Sequence, residues 1–136
     1  MAAKRADDQK LPELSRLELA VMDIVWELGE CSSAEVISAY QQKRSLAPTT
    51  IRTVLANLRK KGYVQPVPTI ERGFRLKATV SRAAIAKRSM RDVFQNLFQG
   101  SLRQAIACLL SEEQPSDQEM EEIRQIIASR TSKKKR

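Results

Sequence analysis

From Ala47 to Gly62 the chain reads Ala-Pro-Thr-Thr-Ile-Arg-Thr-Val-Leu-Ala-Asn-Leu-Arg-Lys-Lys-Gly, and its most suggestive chemistry is concentrated there. Ile51, Val54, Leu55 and Leu58 recur at helical spacing and form one apolar stripe. That stripe leaves Thr49, Thr50, Arg52, Thr53, Ala56, Asn57, Arg59 and Lys60 on the other side, a face without an acid. Short hydroxyl side chains come first along it and cations come last. Such a face can approach a polyanion closely, offering hydrogen bonds to base edges and charge to phosphates. The competing reading is an ordinary amphipathic helix with a solvated polar face.

The charge distribution bears on that choice. The 136 residues carry a formal net charge of +8. Between Lys43 and Lys77 nine cations face Glu71 alone, which leaves +8 in about a quarter of the chain. From Ser81 to Ser129 six cations meet seven acids, close to neutrality. A basic block beside a neutral remainder suits nucleic acid or an anionic surface. Histidine is absent, and the four glycines, Gly29, Gly62, Gly73 and Gly100, are isolated. The commonest general base, neutral metal ligand and phosphate-cradling loop are therefore missing, so neither an enzyme, a metal site nor a cofactor is expected. No apolar run reaches membrane-spanning length, so no membrane partner is expected. Cys31 and Cys108 lie far apart with no paired spacing; each is expected to be a buried free thiol in a reducing cytoplasm.

The elements that must position the polar face can be read from start and stop signals. Residues 1–13 read as a polar leader. Ser15 to Glu18 has the form of a capping box, opening a helix with Leu17, Val21, Ile24, Val25 and Leu28 on one stripe until Gly29. Met22 and Trp26 on it are expected in the core. Ser32 to Glu35 is a second box, starting a helix through Val36, Ile37 and Tyr40 to about Lys43. Pro48 suits the first turn of the third helix and Gly62 its end. Two alternating runs follow, 63–67 and 74–78, with Pro66 and Pro68 confining the first to an edge. Together these predict a mostly α chain with a small β-hairpin: a winged helix-turn-helix domain over 14–80. Arg72 at the hairpin tip is placed either to touch a phosphate or minor groove, or to stand as an unpartnered turn arginine.

Helical periodicity resumes at Ser81, predicting a helical dimerisation region over 81–129 and a basic tail over 130–136. Val93, Phe94, Leu97 and Phe98 form one apolar stripe, Leu102, Ile106 and Leu109 a second, and Ile123 and Ile127 fall on a third after the Ser116–Glu119 box. Three helices of this length leave apolar faces to cover, and a second copy of the chain is the expected cover, giving a homodimer. Phe94 and Phe98 fit an effector cavity as well as an interface core.

The order of these segments resembles the BlaI/MecI/CopY-type penicillinase repressor family. The residues that carry the resemblance are Leu14-Ser15-Arg16-Leu17-Glu18 with Val21-Met22 and Val25-Trp26, then Ala47 to Leu55 and Leu58-Arg59-Lys60-Lys61-Gly62-Tyr63. Val80-Ser81, Phe98 to Leu102 and Ser116 to Ile123 extend it over nearly the whole chain. The resemblance implies a transcriptional repressor that binds a palindromic double-stranded DNA operator as a homodimer. By position, Thr49, Thr50, Arg52, Thr53 and Asn57 would face the major groove. Lys43, Arg59, Lys60 and Lys61, with Arg72, would anchor phosphates. Family members often carry a basic residue at the place of Thr49 and an arginine at that of Asn57, so the operator sequence is left open. A sensor protease is the partner implied for the resistance members, cutting an Asn-Phe bond where this chain has Cys108-Leu109. The C-terminal cysteine cluster of the copper-responsive members is likewise absent. A winged-helix module binding protein or RNA is the alternative.

Overall fold

The computed structural model describes residues 11–70 and 75–134, with side chains as far as residue 131. Helix α1 (Arg16–Leu28) opens on a reciprocal cap: Ser15 Oγ accepts from the Glu18 amide at 3.1 Å, and Glu18 Oε1 accepts from the Ser15 amide at 2.8 Å. The same arrangement, Ser32 with Glu35, starts α2 (Ser33–Lys43). Helix α3 (Pro48–Lys61) has proline in its first turn and ends at Gly62, whose φ of +91° favours glycine. A side chain there would be strained, and its Cβ would press on Leu11 Cδ2 at 3.3 Å.

These three helices pack around Val21, Met22, Val25, Val36, Ile51 and Leu58, all fully buried. A small antiparallel sheet closes the core, with β1 (Cys31–Ser32), β2 (Val64–Val67) and β3 (Arg75–Ala78) in the order β1-β3-β2. Val64 lies opposite Ala78, and Cys31 opposite Leu76. Pro66 sits on the edge strand, where a missing amide is tolerated. The expected hairpin strands are present; the first begins one residue later, at Val64, and residue 74, where the second was expected to begin, lies outside the described residues. Strand β1 was not foreseen, because two residues carry no periodicity; Arg75 secures it, donating to the Glu30 carbonyl at 3.0 Å and to Glu35 Oε1 at 3.1 Å.

Two expected boundaries move. Residues 11–13 are not a detached leader. Their three successive carbonyls accept hydrogen bonds from Arg88 (3.1 Å), the Tyr63 hydroxyl (2.5 Å) and Lys61 (2.8 Å), while Leu11 packs against the core. Nor does the first unit stop at residue 80. Helix α4 (Arg82–Leu97) sends Ile85 into the core, and the Trp26 indole donates to the Val80 carbonyl at 2.9 Å. The chain divides into two compact units between Ser89 and Met90, inside α4. The second unit contains the rest of α4, then α5 (Leu102–Glu112) and α6 (Asp117–Lys134). Ser116 Oγ accepts from the Glu119 amide at 3.1 Å, one half of the third box. Helix α6 continues into the segment expected to be a basic tail, since lysine and arginine are good helix formers.

The two cysteines also part company. Cys31 is fully buried on β1, as expected, whereas Cys108 is exposed on α5, which corrects the expectation for that residue. Burial pushes the Cys31 thiol up, Glu35 adds to the shift, and Arg75 partly offsets it. In a Cys108→Ser protein the remaining thiol should therefore resist Ellman's reagent until denaturant is added. A fast reaction of the native protein would place Cys31 outside the core.

Candidate nucleic-acid interface

Burial sorts α3 cleanly into two sides. Ile51, Val54, Leu55 and Leu58 are buried, while Thr49, Arg52, Thr53, Ala56, Asn57, Arg59 and Lys60 are exposed and Thr50 is half-buried. The exposed side carries no acid. Residues 44–47 join α2 to α3, and Gln41 Nε2 holds that turn by donating to the Leu46 carbonyl at 3.1 Å. This is the geometry of a helix-turn-helix, with the sheet as its wing. The Thr53 hydroxyl donates back to the Thr49 carbonyl at 3.0 Å, so its proton is engaged within the helix. Thr53 therefore offers acceptor lone pairs and a methyl group outward, which suits contact with a thymine methyl.

The cations expected to anchor phosphates do not form one set. Lys60 is exposed on the acid-free face, and so is Arg59. Lys43 Nζ lies 3.1 Å from Glu27 Oε2 in an exposed pair, an interaction weak enough to be exchanged for another anion. Arg72 falls outside the described residues. Lys61 points elsewhere. Its ammonium donates to Glu18 Oε1 at 2.6 Å and to the Glu13 carbonyl at 2.8 Å, tying the end of α3 to the start of α1. Sequence proximity to Lys60 misplaced it, because adjacent residues on a helix diverge by about 100°. Glu18 itself is only 6% exposed. Burial pushes its carboxyl up, but hydrogen bonds from Lys61 and Ser15 and the lysine charge outweigh this, and the net shift is downward.

Two features beside α3 were not foreseen. A concavity of about 570 Å³ lies between its exposed face and the sheet, with Gln65 and Pro66 of β2 on the far wall. Ala56, the one small side chain among the cations, was its only sequence signal. Ile70 is fully exposed beyond β2, an apolar residue in a segment that periodicity could not place. In the second unit Val93, Leu97, Leu102, Ile106, Leu109 and Ile127 are exposed, and Phe94, Phe98 and Ile123 are half-buried. Among the described residues no helix is long and apolar enough to cross a membrane, and no acid or cysteine cluster forms a metal site.

Against known proteins, the model of the penicillinase repressor family matches residues 14–129. The chain belongs to the penicillinase repressor family. It is thus a winged-helix DNA-binding transcriptional repressor, a class without enzymatic activity. The methicillin resistance regulatory protein MecI of Mammaliicoccus sciuri is 28% identical over 120 residues, covering 88% of this chain and 97% of that one. The penicillinase repressor of Bacillus licheniformis is 26% identical over 127 residues, covering 93% and 98%. Among solved structures, the monomeric form of Bacillus licheniformis BlaI in complex with the blaP half-operator is similar over 55% of this chain and 90% of that one, at 29% identity and a TM-score of 0.49.

The inward lysine gives this repressor a testable acid response. A carboxyl whose folded pKa is depressed stabilises the fold above its unfolded pKa, and that stability is lost as pH falls through the folded value. Lys61→Met removes the partner and strands Glu18 in the core, which should cost about 1–3 kcal/mol at pH 7. The stranded carboxyl keeps its bonds with Ser15 but loses those of the lysine, so it takes up a proton more readily than the native one, and the penalty should shrink as pH falls through the carboxylate range. Urea unfolding of both proteins at pH 7 and pH 4 measures this; an equal or larger penalty at pH 4 would refute the assignment.

Proposed function

We propose that the repressor acts as a homodimer on a palindromic operator, with one α3 helix entering each of two successive major grooves about one helical turn apart. The observation that carries this reading is the acid-free exposed side of α3, whose rotational setting is fixed by the buried stripe behind it. Arg52 and Asn57 read base edges, the guanidinium suiting guanine and the amide suiting adenine. Thr49, Thr50 and Thr53 lie in the same groove. Arg59 and Lys60, with Lys43 released from Glu27, hold phosphates; Lys61 is left out of this set by its bonds to Glu18 and Glu13. Occupancy of a promoter then excludes polymerase by bulk alone, in the cytoplasm.

The homodimer draws support from the second unit, where Leu97, Leu102, Leu109 and Ile127 stand more than half exposed in a single copy. Covering side chains of this size is worth roughly 1.5–3 kcal/mol each. If a sensor protease releases this repressor, it must accept Cys108-Leu109, both exposed on α5, in place of an Asn-Phe bond.

The two kinds of DNA contact separate in a titration with operator duplex, random duplex and duplex RNA. Arg52→Ala should weaken operator binding by roughly 1–3 kcal/mol and leave random duplex nearly unchanged, whereas Lys60→Ala should weaken both alike and lower the salt slope by about one. Equal losses for Arg52→Ala on both duplexes, or preference for RNA, would overturn the assignment. Independently, Leu102→Asp together with Ile127→Asp should give a monomer in sedimentation equilibrium, and a surviving dimer would place the interface elsewhere.

A further inference from the structure

We infer that the concavity between α3 and the sheet binds a small organic anion with a flat apolar body, and that this ligand competes with DNA. The second half rests on the reading of α3 as the DNA-facing helix. Arg52, Ala56 and Lys60 are four residues apart and Arg59 lies three beyond Ala56, so all four border the same side of the hollow. Ala56 supplies depth: between longer side chains its methyl leaves the floor open to Leu55 and Leu76, which are almost fully buried. Gln65 and Pro66 of β2 and Ser33 of α2 complete the lining. Among the described residues, none that lines it is an acid.

The volume of about 570 Å³ falls within the range typical of small-molecule sites. The lining also has their usual character, a mostly apolar floor with a few polar groups at the rim. A backbone phosphate alone would satisfy the rim and leave the floor of Leu55, Leu76 and Pro66 wet. An aromatic or alicyclic carboxylate satisfies both, its carboxylate held by the arginine fork and its ring covering the floor. Because the rim is drawn from the side of α3 proposed to meet DNA, ligand and operator exclude each other.

The test uses the full-length, nitrogen-15-labelled protein and three probes: 2-naphthoate, its neutral counterpart 2-naphthalenemethanol, and sodium sulfate. The expected result is saturable amide shifts confined to residues 55–60, 64 and 65, with naphthoate binding roughly tenfold tighter than either of the other probes. Ala56→Leu, a substitution that fills the hollow on an exposed helical position, should abolish the shifts while the melting temperature is retained. Arg52→Gln, which keeps the floor, should bring naphthoate down to the affinity of the alcohol. Naphthoate should raise the apparent Kd for operator duplex linearly with its free concentration, with a slope set by its own dissociation constant. Sulfate binding as tightly as naphthoate, shifts that persist in Ala56→Leu, or duplex binding indifferent to saturating naphthoate would each overturn the proposal. A protein that binds no duplex even without ligand would sink the DNA reading and the competition with it, while the amide shifts would still decide whether the hollow binds organic anions.

Discussion

The constraint on which the rest depends is the rotational setting of α3. Four apolar side chains over two turns are buried by α1, α2 and the sheet, so the helix cannot roll without pulling them into water. A roll of one residue, about 100°, would carry Arg52 and Arg59, or Thr50 and Asn57, into an apolar core, at the cost of burying charged or polar groups there. The axial setting is fixed as firmly. Pro48 begins the helix, Gly62 ends it in the left-handed region, and the Gly62 carbonyl accepts from the Thr79 hydroxyl at the close of the hairpin. A reading surface needs this rigidity, because hydrogen bonds to base edges tolerate little displacement.

The same setting distributes charge. Lys60 and Lys61 differ by one position and by everything else: one stands in solvent on an acid-free side, the other neutralises a nearly buried glutamate. The inward pair belongs to a larger clasp. Lys61, Tyr63 and Arg88 each hold one carbonyl of residues 11–13, and Arg88 also donates to the Tyr63 hydroxyl at 2.7 Å. Residues 11–13, the end of α3 and the first half of α4 are thereby joined by a cluster of partly buried hydrogen bonds, those from Lys61 and Arg88 charge-assisted. Of the outward cations, Arg59 and Lys60 lie in the last turn of α3, where the macrodipole favours positive charge.

How much of this was legible in sequence follows from the range of the interactions involved. Caps, the α3 stripe, the proline start and the glycine stop act within a few residues, and each was readable from spacing. The family resemblance rests on those local patterns too, which is why fold and class emerged together. Strand β1, the strap and the inward turn of Lys61 depend on partners 40 or more positions away in the chain (Arg75 to Glu35, Lys61 to Glu18, Arg88 to Leu11), and no local pattern encodes them. The unit boundary moved for the same reason: Ile85 looks like the start of a new helix in sequence and is also part of an older core in space. The hollow beside α3 was hidden because its floor and its rim come from different elements.

The two units differ in how complete they are. The first has a closed core of large side chains, together with the clasp, and nothing in its packing requires a second chain. The second has Ala105 as its only buried apolar residue among those described, and apart from the half-buried Ile123 its isoleucines and leucines are exposed. On the proposed function, the part assigned to DNA is shaped in advance, and the part assigned to pairing would gain most of its stability on pairing. Under the proposed dimer, the second unit would be stabilised by mass action, so its order would rise with repressor concentration. Linking two α3 helices through it converts the second half-site contact into an intramolecular one, strengthening operator binding without any new contact to DNA. A single copy would retain the weaker, salt-sensitive attraction of one basic face. Discrimination between operator and bulk DNA would then be set as much by the apolar surface of α4, α5 and α6 as by Arg52 and Asn57.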